Sequence, residues 1–172
     1  RGYYRIKLGS WQVYSLDSNL GPGPAAVQLA WLKQELAGNP SHCTLAYWHH
    51  PLYSSGGHGS IARMGEAWRA LHDAGAEVVL SGHDHDYERF APQDAAGSYD
   101  ARGIRQFVVG TGGAYSTPFL LPLRNSEMRD NSRTGVLRLV LKEGAYEWAF
   151  LEASYDGFPN GSPPDRGEGK CH

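Results

Sequence analysis

Two short apolar runs limit what this chain can fold into. Cys43-Thr-Leu-Ala-Tyr-Trp48 and Glu77-Val-Val-Leu80 are dense in apolar side chains and show no alternation with polar ones. Strands of that kind are buried on both faces, as at the centre of a sheet covered on two sides. Both runs stop at histidines. The first meets His49-His50-Pro51, where proline removes a ladder donor, and the second runs into Ser81-Gly-His-Asp-His-Asp-Tyr-Glu-Arg89. Between them Ile61, Met64, Trp68 and Leu71 recur at helical spacing from near Ser60, with Gly75 as the stop.

The flanks extend this pattern. Tyr3 to Leu8 and Trp11 to Leu16 read as a hairpin around Gly9-Ser10. Gly21-Pro-Gly-Pro24 is a break, and Ala25 to Ala37 a helix with Leu29, Leu32 and Leu36 on one face, stopped by Gly38. Ile104 to Val109 reads as a strand ending in Gly110-Thr-Gly-Gly113, with a hairpin from Gly135 to Lys142 and Ala145 to Leu151. Strands alternating with helices predict an α/β fold. Residues 1–155 form the domain, or a portion of one, and residues 156–172 read as a Gly/Pro-rich surface tail. The chain opens at Arg1 in a strand-like pattern, as expected of a processed chain or a piece of something longer.

Composition excludes several classes of function. Sixteen basic against eighteen acidic residues give a formal charge of −2, which argues against nucleic acid or anionic membrane bound through bulk positive charge. Apolar runs fall far short of the ~20 residues of a membrane span. Two cysteines, Cys43 and Cys171, are too few for a disulfide framework or a thiolate zinc knuckle, and their pairing is left open.

The chemistry therefore rests on the eight histidines. His42, His72 and His172 read as structural or solvated. His49, His50 and His58 follow one buried strand, and His83 and His85 the next. Ligands of open α/β sheets bind beyond the carboxyl ends of the strands, so these five imidazoles should converge at one sheet edge. Neutral imidazole is the commonest metal ligand, and Gly82 lets the backbone turn sharply there.

These residues resemble a known family. His49-His50-Pro51-Leu52-Tyr53-Ser54 and Gly82-His-Asp-His-Asp-Tyr-Glu-Arg89 are similar to the last two metal motifs of calcineurin-like metallophosphoesterases, purple-acid-phosphatase-like branch. Leu16-Asp17-Ser18, Gln28-Leu-Ala-Trp-Leu32, Gly110-Thr-Gly-Gly113 and Cys171-His172 extend the likeness over most of the chain. The resemblance implies a four-layer α/β/β/α sandwich of which this chain is the C-terminal portion, its N-terminal half missing. It implies a phosphoric ester hydrolase, phosphatase or phosphodiesterase, with a binuclear centre of divalent or mixed-valence ions (Fe, Zn or Mn) and a metal-bound hydroxide nucleophile. His49 and His83 would hold the second metal and His85 the first. His58 would be a substrate-phosphate contact or general acid, and His50 would either support the ligands from behind or line the substrate pocket. Asp84 and Asp86 would orient backbone or imidazoles, and Glu88 and Arg89 would pair as ions. The Gly110 segment reads as a tight turn in preference to a phosphate-cradling loop, since it lacks the spacing of one.

The family's earlier motifs, Asp-x-His, Gly-Asp and Gly-Asn-His-Glu/Asp, are not found in these residues. Without a bridging carboxylate, three histidines cannot hold two dications about 4 Å apart, so the chain alone should take at most one ion and be inactive. The alternative is a non-catalytic metal- or protein-binding remnant of the fold. A missing first half would leave a sheet face exposed, which predicts self-association. The resemblance also leans toward a secreted or periplasmic protein, with a glycosylation sequon at Asn160-Gly-Ser162.

Overall fold

A computed structural model describes residues 2–153 and 163–172. The expected sequon lies outside these residues. The strands are β1 (Tyr4–Leu8), β2 (Trp11–Ser15), β3 (Cys43–Tyr47), β4 (Val78–Ser81), β5 (Tyr87–Phe90), β6 (Arg105–Val109), β7 (Ser126–Asp130), β8 (Gly135–Lys142), β9 (Ala145–Glu152) and β10 (Asp165–Lys170). The helices are α1 (Pro22–Gly38) and α2 (Gly65–Asp73), the latter entered through a 3-10 turn at Ala62–Met64.

The first seven strands form one mixed sheet in the order β1-β2-β3-β4-β6-β5-β7, in which β2, β3, β4 and β6 run parallel. β8, β9 and β10 make a second, antiparallel sheet. On one face of the large sheet, Tyr14, Ala46, Trp48 and Val79 pack with Leu32 of α1 and Trp68 and Leu71 of α2. On the other, Trp11, Leu45, Val78 and Phe107 meet Tyr146, Trp148 and Phe150 of β9. Consecutive strand residues point to opposite faces, so the two cores account for the unalternated apolar runs. The described layers are helix, sheet and sheet. The expected open face is covered around Val78 and Phe107 by the chain's own small sheet, and exposed apolar side chains persist on β1 at Tyr4, Ile6 and Leu8.

Several elements differ from the sequence reading. α1 starts at Pro22 rather than Ala25, because proline's fixed φ suits the first helical turn. The second helix is delayed from Ser60 to Gly65 by the 3-10 turn. Residues 165–170, expected in a surface tail, are the edge strand β10. Its glycines are packing features: a Cβ on Gly167 would enter the Trp148 ring and one on Gly169 the Tyr146 ring, each the residue directly opposite. Arg166, Glu168 and Lys170 face solvent, charges that blunt an exposed edge. Cys171 then closes a disulfide to Cys43 across 128 residues.

Beside that disulfide lies a buried acid. Glu77, 2 % exposed, accepts the Thr44 N–H at 2.6 Å and the His172 N–H at 3.3 Å. Burial pushes its carboxyl up to about 7, against the lowering effect of those donors. The folded value exceeds the unfolded one, so the folded chain holds a proton that the unfolded chain releases between about pH 4.5 and 7. Stability from this group is present below that window and is lost as pH rises through it. Glu77→Gln should flatten this dependence: the difference in unfolding free energy between native chain and variant should change by about 2–3 kcal/mol between pH 5 and 8. Denaturant titrations at both pH values check it, and an unchanged difference would refute it.

Candidate metal centre

The carboxyl ends of β2, β3 and β4 meet at one edge of the sheet. Trp48 N–H donates to the Leu80 carbonyl at 3.1 Å and Gly82 N–H to the His49 carbonyl at 3.0 Å, so the two segments that follow β3 and β4 leave the sheet together. The chain bends at His49-His50, and both rings turn toward His83. Ring centroids lie 4.8 Å apart for His49 and His50, 5.0 Å for His49 and His83, and 4.5 Å for His50 and His83. His83 is the centre of a γ-turn: its φ is 70°, and the Asp84 N–H donates to the Gly82 carbonyl at 2.9 Å. That conformation is strained for a residue with a Cβ, and such strain gathers at functional sites.

One ring nitrogen from each of His49, His50 and His83 lies within 4.8 Å of the others. His49 Nε2 and His83 Nδ1 are 3.2 Å apart. Two imidazole nitrogens at 2.0–2.1 Å from a tetrahedral ion would be separated by roughly 3.3 Å, so this pair stands at a ligand spacing. His50 Nδ1 lies 2.8 Å from Ser18 Oγ, which leaves Nε2 for the cluster. Burial lowers the pKa of both His50 and His83, and neighbouring imidazoles lower it further. Both effects favour the neutral, metal-binding ring. The donor set therefore fits one divalent ion of the imidazole-preferring kind.

The other expected site residues stand beside this cluster. His58 is 4.7 Å from His83, centroid to centroid. Its Nδ1 lies 3.1 Å from Asp84 Oδ1, and its backbone N–H donates to the same oxygen at 2.8 Å. The Asp84 carboxylate is an acceptor, so Nδ1 carries the proton and Nε2 is the exchangeable nitrogen. His85 departs from the group: its Nδ1 pairs with the Tyr115 carbonyl at 2.9 Å, and it is outside the three-imidazole cluster. Asp84 and Asp86 point into the protein, where Asp86 meets Thr117 Oγ1 at 3.3 Å. Burial, then Asp84 and Glu88, push the Asp86 carboxyl up to about 7.

Glu88 and Arg89 do not pair with each other. Adjacent strand residues face opposite ways: Glu88 takes the Ser55 N–H at 2.8 Å and hydroxyl at 2.6 Å, whereas Arg89 binds Asp165 at 2.8 and 3.1 Å. Ser18 and Tyr115 were not singled out from sequence as site residues. The signal for Ser18 was its position just past a parallel strand's carboxyl end.

Gly110 holds the neighbouring segment against this turn. Its N–H donates to the Asp86 carbonyl at 2.9 Å, and a Cβ there would collide with the Asp84 carbonyl oxygen. Thr111 Oγ1 donates to the Gly135 carbonyl at 2.8 Å. The Gly110-Thr-Gly-Gly113 segment is thus a close backbone approach.

No protein-family model matches the chain. Among characterised proteins it is 32% identical over 119 residues to purple acid phosphatase 15 of Arabidopsis thaliana, covering 64% of this chain and 22% of that protein. It is 28% identical over 161 residues to purple acid phosphatase 18 of the same plant, covering 90% and 30%. The chain thus spans less than a third of the length of these relatives. Its structure resembles purple acid phosphatase PPD1 from yellow lupin seeds, with a TM-score of 0.79 at 19% identity over 96% of this chain and 32% of that one. It also resembles GAP50, described as the anchor in the inner membrane complex of Plasmodium, with a TM-score of 0.76 at 15% identity over 99% and 53%. The chain is related to the purple acid phosphatases and shares their fold.

Because the site turn rests on a glycine contact, Gly110→Ala should lower stability by about 1–3 kcal/mol, as overpacking does. Gly112→Ala, with open space at its Cβ, should stay within about 0.5 kcal/mol. Thermal unfolding of the two variants compares them, and equal effects would refute the contact's role.

Proposed function

Starting from this kinship, we propose that the chain carries part of the active site of a phosphoric ester hydrolase. His49, His50 and His83 are donors to a divalent ion, and His58 is the proton donor to the departing alkoxide. The observation behind this reading is the convergence of three imidazoles at the carboxyl edge of adjacent parallel strands, with His58 braced beside them by a buried carboxylate. When bound, the ion supplies a Lewis acid for the phosphoryl oxygens. The protein's own residues do the remaining steps. Ser18 orients His50, and Asp84 fixes the His58 tautomer so that Nε2 faces outward as an acid. His85, braced on the Tyr115 carbonyl, would be a donor to a second ion.

A second reading is a metal- or protein-binding unit without catalysis. It is favoured by the lack, among the described residues, of a carboxylate in the three-imidazole cluster. The disulfide supports a secreted or periplasmic location, since such bonds persist in oxidising compartments. No described helix is long and apolar enough to cross a membrane.

Isothermal titration should find one Co²⁺ per chain, with binding abolished by His83→Ala and retained in His85→Ala. Inorganic phosphate should bind the Co²⁺-loaded chain and not the metal-free one, and His58→Ala should weaken that binding roughly tenfold. Metal binding without metal-dependent phosphate binding would sink the hydrolase reading and leave the second.

A further inference from the structure

The segment between β6 and β7 carries an unusual share of exposed apolar surface. Tyr115 is 73% exposed, Leu120 65% and Leu121 83%. The segment is nonetheless pinned. Thr117 N–H donates to the His85 carbonyl at 3.1 Å, Leu120 N–H to the Ser55 carbonyl at 2.9 Å, and Asn131 Nδ2 to the Thr117 carbonyl at 3.0 Å. His85 Nδ1 pairs with the Tyr115 carbonyl itself. Exposed apolar side chains on a backbone held at several points are offered to solvent in a fixed place, as binding surfaces are.

Their place is set by a row of rings. His50, His83, His58, His85 and Tyr115 follow one another at centroid distances of 4.5, 4.7, 6.0 and 4.8 Å. Tyr115 stands edge-on to His85, with an interplanar angle of 69°. One end of the row is the metal-donor cluster, and the other is an aromatic side chain open to solvent. An ester whose phosphoryl group sits beside His58 would extend its organic part past His85 toward the Tyr115 ring.

We propose that Tyr115 is the subsite for the organic part of the substrate, and that the site prefers phosphoesters of aromatic alcohols over those of small aliphatic ones. This rests on the phosphoester reading above and names the substrate class for it. Tyrosine suits the task because its ring presents a flat face to a planar partner at little entropic cost. Leu120 and Leu121 on the same segment add apolar surface, and the phosphoryl end stays with the imidazoles. The neighbouring charges do not favour a lipid surface instead, since Arg124 is the basic residue of residues 114–125.

Phenylphosphonate and methylphosphonate carry the same anionic head and resist hydrolysis, so their binding to the Co²⁺-loaded chain isolates the organic group. Isothermal titration should give phenylphosphonate roughly fivefold tighter binding. Tyr115→Ala should reduce the preference to within about twofold, Tyr115→Phe should keep it, and methylphosphonate should bind alike throughout. The exposed side chain makes both variants safe for folding, which thermal unfolding confirms. Equal affinities in the native chain would overturn this inference and leave the phosphoester reading standing. A preference that survives Tyr115→Ala would overturn the role of Tyr115. Binding of neither phosphonate would remove both readings. Sedimentation with phosphatidylcholine vesicles, lost in Leu121→Asp and combined with equal phosphonate affinities, would assign the segment to a lipid surface.

Discussion

The carboxylate of Asp84 is wholly withdrawn from water, and both its oxygens are taken by the loop that follows β3. Oδ1 accepts the backbone N–H and the ring N–H of His58, and Oδ2 accepts the Ser54 hydroxyl. A buried charge left without donors costs several kcal/mol, so loop and turn hold each other in one arrangement. Two residues on, Asp86 continues the buried column, and Glu88 two further on binds Ser55. Burial and the two flanking carboxylates push Asp86 up to about 7, so near neutral pH Asp86 itself is partly protonated. This acidic stem faces inward, and the imidazoles of the same turn are left to face the sheet edge.

The sheet makes that alternation possible. Its central strands are parallel and buried on both faces, so their carboxyl ends stop together and the loops emerge side by side. The helices supply one cover. The other comes from β9, whose Trp148 also receives Arg89 and Arg105 over its ring at 5.2 and 4.9 Å. Cationic side chains placed over an indole face are attracted by its quadrupole. Asp165 then closes the group, accepting from Arg89, the Tyr87 hydroxyl at 2.6 Å and Trp148 Nε1 at 3.1 Å. The last strand is thus tied to the histidine-bearing turn through Tyr87 and Arg89, four residues beyond His83 and His85 respectively.

What could be read from the sequence follows from these interactions. The unalternated runs at Cys43 and Glu77 reported the central strands because two-sided burial favours apolar side chains at consecutive positions. The histidine loops followed from strand direction alone. β5 was hidden because Tyr87-Glu-Arg-Phe90 has two charges, and only the structure shows that Ser55 and Asp165 partner them. β10 was hidden because its glycines look like loop composition until Trp148 and Tyr146 are placed over them. Within the site, neighbours on an extended chain point apart, so His49 and His50 looked like one ligand and one wall. The bend after β3 turns both rings to His83. The disulfide was undecidable because pairing Cys43 with Cys171 depends on β10 being a strand.

The number of ions these residues can hold follows from charge. Two dications about 4 Å apart repel by roughly 16 kcal/mol at an effective dielectric near 20. Three neutral imidazoles donate lone pairs but bring no negative charge to offset that repulsion. Asp84 is committed to His58 and Ser54, and Glu88 to Ser55, so neither brings its charge to the cluster. One ion faces no such repulsion, and the 3.2 Å spacing of His49 Nε2 and His83 Nδ1 suits it. A second ion near His85 requires anionic ligands from outside the described residues, and relatives more than three times as long as this chain have ample sequence in which to carry them.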